Sequence, residues 1–210
     1  MAITTRAELL TAIENWLHRA GETQLSSRAP EWLSLVEDKL GLELRIRPME
    51  TSADLTISSQ TVSLPSGFVA QRRLYISSSP NKPVNYMAPE AFWERYLATE
   101  TGTPKAYTIE GDSLVFGPAP DTTYTGKILY YKKFDALTAD SDTNWLLSNA
   151  RGLLLYGALL EASLYFKHAN EEALKWSTVY DDLMDKVKGA DRMDRFPSGD
   201  LTVASDIQRD

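Results

Sequence analysis

Asp140-Ser-Asp142-Thr-Asn144 is the nearest this chain comes to a ligand-binding loop. Oxygen donors at alternate positions open a calcium loop, which then needs Gly at its sixth position for a sharp turn and a bidentate Glu at its twelfth. Here those positions hold Trp145 and Arg151, so the residues read instead as a loop and a helix cap. His18 and His168 are the only two histidines, each near a predicted helix end. Neither belongs to His-Glu-x-x-His and no third ligand lies near, so zinc has no support. Gly-x-Ser-x-Gly, Walker and Gly-x-Gly-x-x-Gly patterns are missing, and Gly102-Thr-Pro104 reads as a turn. Asp181, Asp182 and Asp185 fall on the polar side of a predicted helix. No catalytic residue, metal ligand or cofactor is assigned.

The basic clusters are Arg45 with Arg47, Arg72 with Arg73, and Lys132 with Lys133. Strand alternation would put Arg45 and Arg47 on one face, where they could meet phosphate or an acidic partner; edge-strand charges that deter aggregation are the plainer reading. A net charge of -7 opposes a surface that grips nucleic acid and suits one that DNA passes without sticking. Trp16, Trp32, Trp93, Trp145 and Trp176 read as core anchors rather than base-stacking platforms. The absence of cysteine removes disulfides and thiolate chemistry and fits folding in a reducing cytoplasm. The first residues lack the basic and apolar blocks of a signal peptide, so export by that route is not expected.

The elements that would position these residues centre on Asn144 to Phe166. This run is apolar on nearly every helical face, which predicts one continuous buried helix. Asn149, Arg151 and Glu161 would be costly within a bilayer and disfavour a membrane span. Gly152, Gly157, Ala158 and Ala162 predict close approach of another backbone.

Before this run, a capping box at Thr5-Arg-Ala-Glu8 predicts a helix from Arg6 to Ala20, stopped by Gly21. Pro30 predicts the first turn of a second helix that carries Leu33, Val36 and Leu40 and ends at Gly41. From Leu42 to Phe134 the period becomes strand-like. Leu55/Ile57 and Val62/Leu64 are expected to form a hairpin around Ser58-Ser59-Gln60, followed by a strand at Arg72–Ile76. Pro89 is expected to start a helix over Glu90–Ala98 with Phe92, Trp93, Tyr96 and Leu97 inward. A hairpin turning at Glu110-Gly111-Asp112 and a long strand, Tyr124–Phe134, close the region. After a tight turn at His168-Ala-Asn170, a second helix carrying Trp176, Val179, Tyr180, Leu183, Met184 and Val187 ends at Gly189. Ala190 to Asp210 has no sustained period; Met193, Phe196, Leu201, Val203 and Ile207 are its candidate docking anchors.

The expected fold class is α+β. A four-helix bundle, two N-terminal helices and a C-terminal helical hairpin, would comprise residues 1–43 and 137–189, with an antiparallel β-rich insert at 44–136 and an extended C-terminal tail at 190–210.

The order of these pieces resembles the tailed-phage head-to-tail adaptor (connector) proteins, the family of tail tubular protein A and podovirus-like adaptors. The resemblance is carried by Leu44-Arg-Ile-Arg47, Leu64-Pro-Ser-Gly-Phe68, Gly102-Thr-Pro104, the run Gly111 to Asp121, Ile128-Leu-Tyr-Tyr-Lys132 and Leu153 to Ala162. It covers most of Met1 to Gly189. It implies a structural virion protein at the head-tail junction, assembled in the host cytoplasm without membrane contact. Its copies would form a cyclic homo-oligomer, commonly of about twelve. The ring would dock under the portal protein, pass DNA through its channel without sequence-specific binding, and offer its far side to a downstream tail or nozzle protein. Arg45, Arg47, Arg72 and Arg73 are the candidate contacts to neighbouring subunits or a tail protein, and the tail anchors are the candidate portal contacts. The family supplies no catalytic residues. The alternative reading is a tail-associated peptidoglycan hydrolase with a carboxylate site scattered in sequence.

Overall fold

The computed structural model describes residues 3–18, 22–96, 100–166 and 170–195 of the 210. The described residues form a mixed α+β structure with six α-helices and a seven-stranded sheet. The chain divides into two compact units: Met1–Arg47 with Phe134–Asp210, and Pro48–Lys133.

In the helical unit, α1 (Arg6–Trp16) begins at the capping box. The Thr5 hydroxyl accepts from the Glu8 backbone N–H at 3.4 Å, and the Glu8 carboxylate accepts from the N–H groups of Thr4 and Thr5 at 2.6 and 3.1 Å. The helix stops at Trp16, earlier than expected, and His18 takes a left-handed φ of 53°. Ala20 and Gly21, the expected end, lie outside the described residues.

The second helix, α2 (Thr23–Glu43), is longer than its proline suggests, because Pro30 sits inside it rather than at its start. Leu25 and Ala29 extend the buried face of Trp32, Leu33, Val36 and Leu40 one turn and more upstream, and this continuous face outweighs one missing N–H.

The long apolar run is two helices, not one. Asn144 caps α4 (Trp145–Asn149) by accepting from Leu147 N–H at 2.9 Å, Ala150 breaks the helical dihedrals, and α5 (Arg151–Phe166) follows. α5 contacts α1, α2, α4 and the last helix, α6 (Asn170–Arg195). Leu153, Leu154, Ala158, Leu159 and Ala162 are buried as expected, whereas Leu164 is 76% exposed. The small residues do allow close packing, but against side chains. A Cβ at Gly157 would stand 2.7 Å from a Val36 methyl, and one at Gly152 would stand 2.7 Å from a Leu183 methyl.

α6 does not stop at Gly189; Ala190 to Arg195 are helical, contrary to an extended tail beginning at Ala190. Glycine lowers helix propensity without forbidding helix, and the Asp191 carboxylate accepts from Arg47 N–H on this extra turn and a half. The turn around His168 and the tail residues Phe196, Leu201, Val203 and Ile207 lie outside the described residues.

In the sheet unit the strand order is β1-β7-β3-β4-β5-β6-β2. β1 (Glu50–Ile57) pairs antiparallel with β7 (Tyr124–Lys132), from Glu50↔Tyr131 to Ile57↔Tyr124. β2 (Thr61–Ser63) pairs with β6 (Ser113–Gly117), so the expected hairpin between the Leu55 and Val62 runs does not form. The eight-residue β1 satisfies its backbone along its own full length against β7, which a three-residue β2 cannot match. β3 (Phe68–Ile76) lies on the other side of β7, with register shifts that skip Val69 and Arg72. β4 (Lys82–Tyr86), which its polar sequence and Pro83 conceal, pairs antiparallel with β3 and parallel with β5 (Ala106–Glu110). The sheet is therefore not wholly antiparallel.

α3 (Pro89–Arg95) makes the parallel connection, with Pro89 at its start and Phe92 and Tyr96 buried. Trp93 turns outward, where its indole N–H donates to the Glu110 carboxylate; Leu97 lies outside the described residues. The β5–β6 hairpin forms as expected, with Gly111 at φ 56° in its turn. The sheet core gathers Leu55, Ile57, Leu74, Ile76, Phe116 and Ile128.

Candidate interaction surfaces

The residues of the calcium-like loop work inside the fold. The Asp142 carboxylate accepts from the N–H groups of Ala139 and Thr138 at 2.7 and 2.8 Å and from the Thr138 hydroxyl at 3.1 Å. These bonds, the one from Ala139 foremost, hold its pKa below the ordinary carboxylate value. Asp140 pairs with Arg6 at 2.7 Å, and the Asp140 and Asp142 carbonyls accept from Ala7 and Arg6 N–H. The loop thus satisfies open donors at the start of α1. Among the described residues no group of His, Cys, Asp or Glu could hold a metal ion.

The four candidate arginines divide into two kinds. Arg45 donates to the carbonyls of Gly41 and Leu44 and so finishes α2; Arg72 pairs with Glu50 and lies over the Tyr131 ring at 5.7 Å. Arg47 and Arg73 are exposed, with no side-chain ion pair among the described residues. The Leu44–Arg47 segment is not a strand, since it leads into a 3-10 turn at Arg47–Met49; Leu44 and Ile46 are nevertheless buried while Arg47 faces out. Of the tail anchors, Met193 stands on α6 at 77% exposure, and the rest lie outside the described residues.

Two surfaces had no clear signal in the sequence. The helical unit exposes large apolar side chains at Leu35 and Leu42 on α2, Leu164 on α5, and Leu174 and Met193 on α6. Trp16, expected as a core anchor, is 46% exposed, its ring edge-on to Tyr156 at 5.7 Å. With Leu17, His18, Glu172, Lys175 and Trp176 it lines a hollow of about 290 Å³. The sheet unit has a notch of about 270 Å³ where β4 parts from β3, lined by Gln71 to Leu74, Pro83 to Tyr86, and Tyr107. The pair Arg72 with Arg73 was visible in the sequence; that β4 parts from β3 beside it was not.

No helix among the described residues is long and apolar enough to cross a membrane. No curated protein matches the chain. The family model described as SU10 adaptor protein matches residues 4–204, which spans both units and α6. This long match agrees with the resemblance carried by the run Gly111 to Asp121 and by Leu153 to Ala162, and the chain belongs to the SU10 adaptor proteins, a structural family of phage adaptors found in the virion.

Proposed function

We propose that the chain is a head-to-tail adaptor whose copies form a closed ring under the portal, continue the DNA channel and present an attachment surface to the tail. In this reading α1, α2, α5 and α6 act as a four-helix bundle carrying the sheet unit as an insert. The observation that carries it is the family match over residues 4–204. Exposed Leu35, Leu42, Leu164, Leu174 and Met193 support it, because aliphatic surface of this kind on three helices is ordinarily covered in an assembly. The net charge of -7 supports a channel that DNA traverses without adhering.

The segment that begins at Met193 and continues through Phe196, Leu201, Val203 and Ile207 is assigned to portal docking. Its ordering would cost about 2 to 5 kcal/mol, offset by burial of those apolar anchors. Mixing purified chain with portal rings and measuring mass and electron-microscopic symmetry tests the reading. A ring seated on the portal, lost when the residues after Arg195 are deleted, is the expected result. A chain that stays monomeric and unbound at high micromolar concentration with portal present refutes it.

A further inference from the structure

The fork between β3 and β4 leaves unused hydrogen-bonding capacity at one place. Asn85 N–H donates to Lys105 O at 3.1 Å and Met87 N–H to Tyr107 O at 2.9 Å, so those residues turn their backbone toward β5. By strand alternation the N–H and C=O of Tyr86 face the other way, toward β3. Yet the β3–β4 ladder ends at Leu74↔Val84, and the residue Tyr86 would next meet, Arg72, is skipped in the register with β7. The two strand edges diverge around the notch.

Each polar side chain around it can donate a hydrogen bond, and Arg72 and Arg73 carry positive charge, that of Arg72 paired with Glu50. Gln71, Arg73, Asn85 and Tyr86 make no side-chain hydrogen bond or ion pair among the described residues. Tyr107 forms the floor, and burial, with the nearby Tyr86, raises its hydroxyl to about 12, so it stays protonated and able to donate. Tyr86 is 49% exposed with its ring edge-on to Tyr107 at 5.8 Å. An arginine between amides and tyrosines is the composition of a binding hot spot. On a chain of net charge -7, it is also a local positive site.

We infer that this notch receives an extended acidic segment of the tail protein that attaches to the adaptor, its backbone meeting the open edges at Tyr86 and Arg72 and its carboxylate meeting Arg73 and Asn85. An extended strand suits the diverging edges because it alternates backbone donors and acceptors with side chains at the spacing of the sheet. A carboxylate suits the donors because charge-assisted bonds to guanidinium are the strong ones. The inference rests on the adaptor reading and names the chemistry of one of its partners.

The test uses the full chain and two blocked hexapeptides, one alternating valine with glutamate and the other valine with lysine. Hydrogen exchange read by mass spectrometry should slow severalfold over residues 71–73 and 86 with the glutamate peptide and not with the lysine one. R73E should abolish that protection while leaving the melting temperature and portal binding unchanged, since Arg73 is exposed and makes no ion pair among the described residues. Equal protection by both peptides, no protection at millimolar peptide, or protection that survives R73E overturns the inference. So does a shift of the homo-oligomer in sedimentation velocity caused by R73E, which would make the occupant a second copy. Portal binding is read separately, so its loss in the wild-type chain would count against the adaptor reading and not against the notch.

Discussion

The helical unit and the sheet unit solve the burial of apolar surface differently. In the helical unit one element, α5, is surrounded: its helix-long apolar girdle meets α1, α2, α4 and α6, and two glycines let neighbouring side chains reach its backbone. In the sheet unit the burial is shared between strands; β7, second in the strand order, is flanked along its two edges by β1 and β3, both distant in sequence. What each unit leaves outside differs too. The helices expose mainly aliphatic side chains, with Trp16 and Tyr165 beside them, whereas the large exposed hydrophobic residues described in the sheet unit are Tyr86 and Trp93, each with a polar handle. Aliphatic surface calls for dry burial in an assembly, while aromatic surface beside arginine suits contacts that form and exchange with water.

The strongest way to separate the two units is to break one core. Leu159, fully buried in α5, replaced by Asp should cost about 4 kcal/mol or more by burying an unpaired charge. Circular dichroism should then show lost helix, while hydrogen exchange along β7 stays protected. Exchange that rises equally in β7 would mean that the units do not fold separately.

A smaller effect tests the tightness of the girdle. Gly157→Ala should destabilise the helical unit by about 1 to 3 kcal/mol, since the new methyl would overlap Val36, despite alanine's better helix propensity. Val36→Ala added to it should recover part of the loss in urea melts. Simple additivity of the two substitutions would show that α2 and α5 are not in contact at this point.

Tyr180 offers a change of the opposite sign. Its hydroxyl is buried without a hydrogen-bond partner among the described residues, burial raises it to about 12, and the Lys39 ammonium lies 4.9 Å from the ring centroid. Tyr180→Phe removes an unsatisfied group while keeping the ring, so a gain of about 1 kcal/mol in melting experiments is expected. A loss of stability would show that the hydroxyl is bonded in solution.

The smallest effect is electrostatic. Asp142 and Glu8 both titrate below the ordinary carboxylate value in the folded chain, Asp142 through backbone N–H donors and Glu8 chiefly through the Thr4 hydroxyl. A depressed folded pKa contributes stability above the unfolded value, near pH 4, that is lost as the pH falls through the folded value. The melting temperature of the helical unit should therefore decline below about pH 4, and less steeply in Asp142→Asn. A wild-type curve that is flat to pH 2.5 would remove both caps from the account.

Where a signal is local, it could be read from the chain. Thr5 and Glu8 lie three residues apart and meet within a single helical turn; Pro89 opens α3, Gly111 turns the β5–β6 hairpin, and the period of Tyr180 and Met184 places α6. The long family match likewise follows from the sequence alone. Tertiary structure decided the rest, because competing partners had to be weighed across distance. Pro30 inside α2 is outvoted by a buried face that begins at Leu25, and β1 leaves its sequence neighbour for β7 because a longer ladder satisfies more backbone. Trp16 and Trp93 turn outward although their spacing matched an inward face. The same holds for the basic pairs: Arg45 and Arg47, or Arg72 and Arg73, are alike in sequence. Only the folded positions of Gly41, Leu44, Glu50 and Tyr131 engage one arginine of each pair and leave the other facing outward.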